Sequence, residues 1–435
     1  MDSFFVSVEV LRDPTLAGKP VVVGGTGSRG VVASASYEAR AFGVHSAMPS
    51  TRARRLCPRA IFLHGDHRRY GEVSGQIHRI FHSMTPLVEP IALDEAFLDV
   101  SGARRLLGSG EEIAAEIRTR VHDEIGLTCS VGVAPNKLLA KLASEAAKPI
   151  AAVSGVRAGK GIVVIDAEHA EDFLYAHPIR ALWGVGPRTY ERLAALGVQT
   201  VADLAKIPLD ALVGAVGMSH GNHLHELSLG RDQRPVVSER DTKSIGHEET
   251  FVRDIDDTVE LHRVIVRLCD AVASRLRASN LAARTVQLKL RFADFTTITR
   301  SRSTKDELST GNGLARVAGE LLDAPELAEG IRDQGIRLLG VSASHLAPPT
   351  GLQLSFDDLL AGTERGAPEG SIGSGWHEVA DAIDAIRERF GADAVVPGAS
   401  MSPTGDRDRT VGADLWGPSD SEDEAGAHSR SRRGR

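Results

Sequence analysis

The 435-residue sequence contains only three cysteines, Cys57, Cys129 and Cys269. They are too few and too far apart for a disulfide framework or a zinc site built from thiolates, which favours a reducing compartment. No apolar run approaches the length that spans a bilayer, and residues 1–3 show no basic start of a signal peptide. We therefore expect a cytoplasmic protein without a membrane segment.

The sequence also lacks an excess of basic residues. Its 51 Lys and Arg residues face 58 Asp and Glu residues, a formal net charge of −7. Proteins that bind nucleic acid commonly carry a basic excess, so the charge argues mildly against that class. Net charge describes a local cleft poorly, however, because acidic residues in an active site and in a tail hide basic surfaces elsewhere. Local patterns must decide.

The first part of the chain, residues 1–165, predicts an α+β domain with a mixed or antiparallel sheet. Amphipathic helices are expected over about residues 67–84 and 111–125, and a basic helix from Asn136 to the residues before Pro149. Short apolar runs bounded by glycine or other turn residues predict strands, at residues 20–25, 30–35 and 129–134.

Residues 166–230 predict short helices with a helix-hairpin-helix signature at residues 183–188 and a looser copy at residues 213–217. A glycine-rich turn of this kind directs backbone N–H groups at a DNA phosphate and so binds DNA independently of its base sequence. Gly184, Val185 and Gly186 are therefore candidate DNA contacts.

A polar linker at residues 231–242 is followed by a second α+β domain at residues 243–348. A long helix is expected over about residues 258–278. In the strand at residues 285–292, Lys289 and Arg291 alternate with apolar residues and share one face. That face either lies along phosphates or is an ordinary solvated strand face, and the strand alone favours neither.

Asp94 and Glu95 lie between two apolar arms, at residues 88–93 and 96–100, which predict a β-hairpin. Adjacent carboxylates on such a turn can hold hard divalent cations beside a phosphate, although most acidic pairs in turns are merely solvated. Tyr37, Arg40 and Lys148 could bind a triphosphate opposite the metals. Together these groups would form a site for nucleotidyl transfer.

Four segments resemble the motifs of the Y family of DNA polymerases, and the resemblance runs from Met1 to about Leu360. They are the opening motif, a nucleotide-binding segment, the acidic hairpin and a basic segment, at residues 1–9, 37–44, 93–99 and 131–149. The resemblance implies a right-hand polymerase: palm and fingers first, a small helix-hairpin-helix thumb, the linker, and an α+β little-finger domain. Its implied activity is error-prone, template-directed translesion synthesis from deoxynucleoside triphosphates.

The resemblance also implies roles for single residues. Asp94 and Glu95 would be catalytic metal ligands for two Mg²⁺ ions, with Glu95 nearest the primer 3′-hydroxyl. Phe5 would be the steric gate, an aromatic plate that leaves no room for a ribose 2′-hydroxyl. The triphosphate contacts would come from Tyr37, Arg40 and Lys148.

The family's opening motif normally runs His-x-Asp-Met-Asp-x-Phe-Phe, and its first Asp is a ligand shared by both metals. In this sequence Met1 aligns with the motif's Met, so that its main-chain carbonyl matches a family metal contact, and Asp2 matches the second Asp. The first Asp has no counterpart, for which a misplaced start codon is the favoured explanation. The alternative is a noncatalytic DNA- and clamp-binding protein; a helix-hairpin-helix nuclease would leave the gate and triphosphate residues unexplained.

Gln353, Leu354 and Phe356 resemble the peptide by which bacterial polymerases bind the sliding clamp. A chance match is the alternative, but the position just after the little finger favours the clamp, and residues 349–360 are the predicted clamp-binding segment. Residues 361–400 are expected to be a helical extension, with a helix at residues 376–390, and residues 401–435 a disordered tail. The expected partners of this predicted monomer are primer-template DNA, deoxynucleoside triphosphate and the clamp.

Overall fold

The computed structural model describes residues 1–152, 154–239, 241–349, 373–391 and 394–398, without the side chains of residues 373–378. The chain forms two units, and each combines helices with sheets. Among the described residues, no helix is both long and apolar enough to cross a membrane. The first unit comprises Met1–Gly24, Val32–Met48 and Arg52–Arg240, and the second Gly25–Val31, Pro49–Thr51 and Asp241–Arg435.

The chain opens with helix α1 (Phe4–Arg12), although aromatic and β-branched residues dominate it. A small sheet follows in which β1 (Val21–Gly24) is central, antiparallel to β2 (Val32–Ala35) and parallel to β3 (Ile61–Leu63). Helix α2 (Tyr37–Arg40) starts directly after β2, because the side chain of Ser36 accepts a hydrogen bond from the Ala39 N–H. Helix α3 spans Ser50–Leu56.

The predicted acidic hairpin is confirmed. It follows helix α4 (His67–Met84), and its strands β4 (Val88–Pro90) and β5 (Ala96–Leu98) pair antiparallel with Glu89 opposite Phe97. Helices α5 (Arg104–Leu107) and α6 (Gly110–Arg120) follow, and α6 continues into a π-helical turn over Val121–Ile125.

The expectation of a mixed or antiparallel sheet is confirmed by β1, β2 and β3, but the later strands of this region lie outside that sheet. Strand β6 (Val131–Val133), helix α7 (Lys137–Ala147), and strands β7 (Ile150–Ala152), β8 (Gly155–Arg157) and β9 (Ile162–Val164) come next. The strands form separate pairs, β4 with β5, β6 with β9 and β7 with β8. A pocket with Ile91, Phe97, Ile113 and Val131 among its lining residues lies beside β5 and β6, which do not pair with each other.

The short helices predicted for residues 166–230 are present: α8 (Ala170–Tyr175), a 3₁₀ turn (Ile179–Ala181), α9 (Pro187–Ala195), α10 (Val201–Ala205), α11 (Leu209–Val216) and α12 (Met218–Ser228). Their buried leucines, isoleucine and valines form one core with the apolar side of α7, which contributes Leu138, Leu139 and Leu142. Helix α7 therefore belongs to two environments, this helical core on one side and the acidic hairpin on the other.

The second unit contains a four-stranded antiparallel sheet. Its elements are β10 (Ser244–Ile255), α13 (Thr258–Ala278), β11 (Ala282–Phe292), β12 (Thr297–Leu308), α14 (Gly311–Leu322), α15 (Pro325–Gln334) and β13 (Ile336–Ala347), with strand order β10-β13-β11-β12. Leu288 and Leu290 of β11 face a core that also contains residues of α13, α14 and α15. The predicted alternation in β11 is confirmed.

Helix α16 (Gly373–Phe390) matches the helix predicted near residues 376–390. It contacts α13 through two ion pairs, Arg277 with Asp384 and Arg387 with Asp270, each 2.7 Å between nitrogen and oxygen. The predicted clamp-binding residues Gln353, Leu354 and Phe356 and the tail at residues 401–435 lie outside the described residues. All three cysteines are buried free thiols.

We predict that Leu288→Ala destabilises the second unit by about 2–5 kcal/mol, because the lost side chain leaves a cavity in a fully buried core. Urea unfolding of the full chain, followed by hydrogen exchange in β11, measures the change. Gln287→Ala, on the exposed face of the same strand, should change stability by less than about 0.5 kcal/mol. Equal effects of the two substitutions would contradict the described burial.

Candidate active site

The turn of the acidic hairpin has a fixed shape. The N–H groups of Ile91 and Ala92 both donate to the Glu95 carbonyl, at 2.8 and 3.2 Å, and the Ser74 hydroxyl of α4 donates to the Leu93 carbonyl. Apolar residues in the two flanking strands bury the base of the hairpin. Asp94 and Glu95 are thus presented by a turn held from both sides.

Two lysines lie beside Glu95. Lys141 Nζ of α7 is 2.8 Å from Glu95 Oε2, and Lys148 Nζ is 3.9 Å from Glu95 Oε1. Burial by itself would raise the pKa of Glu95, but the hydrogen bond and charge of Lys141, with smaller contributions from Lys148 and the Met1 ammonium group, outweigh it and lower the pKa. The carboxylate is therefore ionised at neutral pH.

Met1 and Asp2 lie close to the hairpin but make different contacts. The Met1 α-ammonium group donates to the Asp94 carbonyl at 3.0 Å and lies 3.2 Å from Asp94 Oδ2. The Asp2 side chain is buried and accepts a hydrogen bond from the Ser130 hydroxyl at 2.8 Å. Asp2 is not among the described residues that line the cleft around Asp94 and Glu95.

Tyr37 presents a hydroxyl group that is buried and has no hydrogen-bond partner among the described residues. Burial, followed by the negative charge of Asp2, raises the pKa of Tyr37 to about 12. Arg40 is held by a 2.9 Å hydrogen bond from its Nε to the Ala35 carbonyl, and its guanidinium carbon lies 4.8 Å from the centre of the Tyr37 ring. The Tyr37 side chain, with its neutral hydroxyl donor, and the positively charged Arg40 guanidinium therefore lie side by side.

Phe5 is a fixed, partly buried aromatic plate. Its ring stacks on that of Tyr70 in α4, with the centres 4.3 Å apart and an 18° angle between planes. The Tyr70 hydroxyl in turn donates to Glu9 Oε1 at 2.6 Å. Offset or stacked rings at this distance attract each other, so Tyr70 fixes the orientation of Phe5.

One cleft of about 550 Å³ brings the predicted residues together. The predicted metal and nucleotide residues that line it are Met1, Phe5, Tyr37, Arg40, Asp94, Glu95 and Lys148. Lys141 was not predicted as a site residue, although it lies one helical turn after Lys137 in the predicted basic helix. It also missed Tyr70, for which the sequence offers no local signal because its partner lies 65 residues earlier.

The predicted DNA contacts lie elsewhere. Gly184 adopts φ +100°, a backbone conformation that residues with a side chain rarely adopt, so the turn requires glycine. The Val185 N–H donates to the Leu182 carbonyl and the Gly186 N–H to the Gly184 carbonyl, at 3.1 and 3.2 Å. The turn before α9 is therefore shaped by its own hydrogen bonds.

Lys289 and Arg291 lie on the face of β11 opposite the core. Lys289 Nζ is 2.7 Å from Glu248 Oε2 of β10, which it reaches past Gly340 on the intervening strand β13. Arg291 Nε donates to the Thr297 hydroxyl at 2.9 Å. The positive charge of Lys289 is thus partly neutralised within the sheet.

The carboxylate oxygens of Asp94 and Glu95 in the cleft suit a hard divalent cation that is also bound by the phosphate oxygens of a substrate. No group of three or more His, Cys, Asp or Glu residues in the described part of the chain could hold a metal ion by itself. Mg²⁺, however, commonly takes one or two carboxylates and completes its octahedral shell with phosphate oxygens and water. Asp94 and Glu95 fit that requirement.

Three family models match the chain: impB/mucB/samB family at residues 1–145, DNA polymerase-iota thumb domain at residues 180–232, and impB/mucB/samB family C-terminal domain at residues 242–356. The DNA polymerase IV of Desulfatibacillum aliphaticivorans is 41% identical over 407 residues, covering 92% of this chain and 96% of the relative.

Two solved structures have the same architecture. A Y-family DNA polymerase chimera of Dbh and Dpo4 superposes with a TM-score of 0.70 at 26% identity, covering 80% of this chain and 98% of the other. An insertion ternary complex of Dbh DNA polymerase gives a TM-score of 0.55 at 27% identity, covering 79% and 96%.

Fold and cleft thus define a template-directed nucleotidyl transferase with a helix-hairpin-helix thumb. The chain belongs to the impB/mucB/samB family, the Y family of DNA polymerases. It is a DNA-directed DNA polymerase of the error-prone, translesion kind. The noncatalytic alternative finds no support in these relatives.

We predict that Lys141→Met raises the pKa of Glu95 relative to the wild type, because the hydrogen bond and the charge of Lys141 are the largest contributions that lower it. Carbon-detected NMR titration of the Glu95 carboxyl group measures this shift. A lowered pKa of Glu95 in the folded protein stabilises the fold at pH values above the pKa that Glu95 has in the unfolded chain, and this stabilisation is lost as the pH falls through the folded-state pKa. The difference in the free energy of unfolding between variant and wild type should therefore shrink as the pH falls. Lys141→Arg should retain the low pKa; an unchanged pKa in Lys141→Met would contradict the assignment.

Proposed function

We propose that the cleft binds a deoxynucleoside triphosphate with two Mg²⁺ ions, and that the primer 3′-hydroxyl is extended there. The observation that supports this is the gathering of two carboxylates, two basic side chains, an unpartnered buried hydroxyl and an aromatic plate around one cleft. Each group matches one part of the substrate: metal-bound phosphates, free phosphate oxygens and the sugar.

In this proposal Asp94 and Glu95 hold the ions, and the Met1 carbonyl is a candidate third oxygen. When bound, the ions lower the pKa of the attacking hydroxyl and neutralise charge on the departing pyrophosphate. The Tyr37 hydroxyl donates a hydrogen bond to a phosphate oxygen, which satisfies an otherwise orphaned buried group. Arg40 and Lys148 supply positive charge on the same side of the nucleotide.

Lys141 has a supporting role. Its ion pair with Glu95 keeps that carboxylate ionised before a metal arrives, so no proton must leave when the cation binds. The orientation of the carboxylate is also fixed in advance, which reduces the ordering cost at binding. Glu95 is thus prepared as a ligand by a residue that does not touch the substrate.

The DNA contacts are likewise proposals. A relative of this fold, Dbh DNA polymerase, has been captured as an insertion ternary complex, which supports primer-template DNA and nucleotide as partners of this chain. We assign phosphate contacts to Lys289, Arg291 and the turn at Gly184, Val185 and Gly186. Because the Val185 and Gly186 N–H groups already donate within the turn, they would have to share those hydrogen bonds with a phosphate. Clamp binding by residues 353–356, the monomeric state and the cytoplasmic location stay predictions.

Primer extension with Mg²⁺ and deoxynucleotides tests the proposed site. We predict that Asp94→Ala lowers kcat by about a thousandfold or more, because the ions lose a carboxylate at the reacting phosphate. The substitution is made in whichever parent chain is more active, the given chain or one extended upstream. Asp123→Ala, at an exposed carboxylate outside the cleft, should leave the rate unchanged. A parallel chain extended upstream with the family's His-x-Asp segment measures how far a further carboxylate raises activity.

Equal rates for Asp94→Ala and its parent would contradict the metal-site assignment. Inactivity of both the given and the extended chain, with intact binding of primer-template DNA, would favour the noncatalytic alternative instead.

We predict that Phe5→Ala weakens discrimination against ribonucleotides by about tenfold or more in kcat/KM, because the ring that collides with a 2′-hydroxyl is gone. Single-nucleotide incorporation with matched ribo- and deoxynucleotides measures the ratio. Phe295→Ala, an exposed phenylalanine of the second unit, is the matched control. An unchanged ratio in Phe5→Ala would show that another group excludes the ribose.

A further inference from the structure

Residues 14–65 carry a local excess of positive charge. They include seven Lys and Arg residues and a single acidic residue, a net charge of +6 in a chain whose formal net charge is −7. Four of these cations are exposed and are not among the described residues that line the cleft: Arg52, Arg54, Arg55 and Arg59. A surface with this charge attracts a polyanion.

Helix α3 separates an apolar side from a basic side. Ala53 and Cys57, four residues apart, are buried in the core of the small sheet. Arg52 and Arg55, three residues apart, therefore share the side of the helix that faces solvent. Arg59 follows in the turn after the helix and is exposed as well. We call Arg52, Arg55 and Arg59 the arginine face; it belongs to the first unit.

The charge of the arginine face is not neutralised within the part of the chain that the structure describes, where none of its three guanidinium groups forms an ion pair with a carboxylate. The next two arginines along the chain differ. Arg68 and Arg69 both pair with Glu72, at 2.6 and 3.1 Å between nitrogen and oxygen. The arginine face is therefore available to an external anion.

Arg54 lies beside this face and stacks on an aromatic ring. Its guanidinium carbon is 4.0 Å from the centre of the Phe62 ring in β3, which is an edge strand of its sheet. Planar guanidinium groups and aromatic rings are the surfaces on which unpaired bases stack. The bases of a duplex are already stacked on each other and offer no such face. The combination favours single-stranded nucleic acid over duplex as the polyanion.

One core connects the arginine face to the cleft. Ala53 and Cys57 of α3 pack in the same cluster as Ala35 and Ala39, which lie on either side of Tyr37 along the chain. Tyr37 lines the cleft. In the proposed function the templating base pairs with the nucleotide in this cleft, and the proposed duplex contacts belong to other elements. The strand that continues beyond that base is template that has not yet been copied.

We propose that the arginine face binds the single-stranded template ahead of the nucleotide being copied. Its guanidinium groups contact backbone phosphates, so the contact is independent of base sequence. This inference rests on the proposed function, which places the templating base at the cleft. The ligand class is single-stranded DNA.

Two primer-template DNAs that differ only in the length of the template's 5′ overhang test the proposal. Overhangs of about 2 and about 12 nucleotides lie below and within the range of about 4–16 nucleotides that single-strand binding folds occupy. The Kd of the full chain for each DNA is measured by fluorescence anisotropy at several salt concentrations. We expect the wild type to bind the DNA with the long overhang more tightly.

The variant Arg52→Gln/Arg55→Gln removes two cations from exposed positions. On the long overhang, the slope of log Kd against log salt concentration should fall by about 1.4, because each phosphate contact with a single strand contributes about 0.7. Over a fourfold rise in salt, the Kd of the wild type should therefore increase about sevenfold more than that of the variant. On the short overhang, variant and wild type should have equal slopes.

Two control variants separate this contact from a general effect of charge. Arg104→Gln/Arg105→Gln removes the same charge from exposed positions on α5 and should leave both slopes as in the wild type. Arg52→Lys/Arg55→Lys keeps the charge of the arginine face and should retain the wild-type slope on the long overhang.

Three outcomes would overturn the proposal: equal affinity of the wild type for both DNAs, a wild-type slope on the long overhang in Arg52→Gln/Arg55→Gln, or an equal fall of the slope on both overhangs. The last result would show that the face binds duplex instead. Failure of the wild type to bind either DNA would overturn the proposed function itself, so the two failures are distinguishable.

Discussion

The structure of the first unit depends on two lysines of helix α7, one turn apart, that each pair with a glutamate of the acidic hairpin. Lys137 meets Glu89 at the base of the hairpin, and Lys141 meets Glu95 at its tip. The other side of the same helix contributes leucines to the core of the helical region at residues 170–228. One eleven-residue helix therefore fixes the acidic hairpin relative to the thumb, with charge on one side and apolar packing on the other.

The two ion pairs serve different ends because their environments differ. The pair at Glu89 is almost fully buried and has further hydrogen bonds with the Pro235 carbonyl and the Val237 N–H, so it contributes to the shape of the unit. The pair at Glu95 is about one-third exposed, and Glu95 lines the cleft, so this carboxylate is accessible to the cation of the proposed function. Two ion pairs within a single helical turn thus differ in burial and in access to the cleft.

Local patterns in the sequence predicted much of this. The apolar arms around Asp94 and Glu95 indicated the hairpin, and Asn136 marked the start of α7, because these features depend on neighbours along the chain. The separation of the strands into pairs was not predictable, since pairing depends on distant segments. The stacking of Phe5 on Tyr70 was not predictable either. Tyr70 belongs to α4, whereas the other residues of the site belong to recognisable motifs. Family resemblance supplied the roles of Phe5, Tyr37, Arg40 and Lys148, which spacing alone left open.

The chain of contacts from Phe5 to Tyr70 to Glu9 carries a consequence for heredity. If Phe5 excludes ribose as proposed, the sugar composition of newly made DNA depends on a ring in α4 and on a carboxylate in α1, neither of which is among the described residues that line the cleft. Variation at position 70 or 9 would then alter how many ribonucleotides enter a genome during lesion bypass. Natural selection on the chemical durability of the genome would act on these two interior positions as well as on the gate itself.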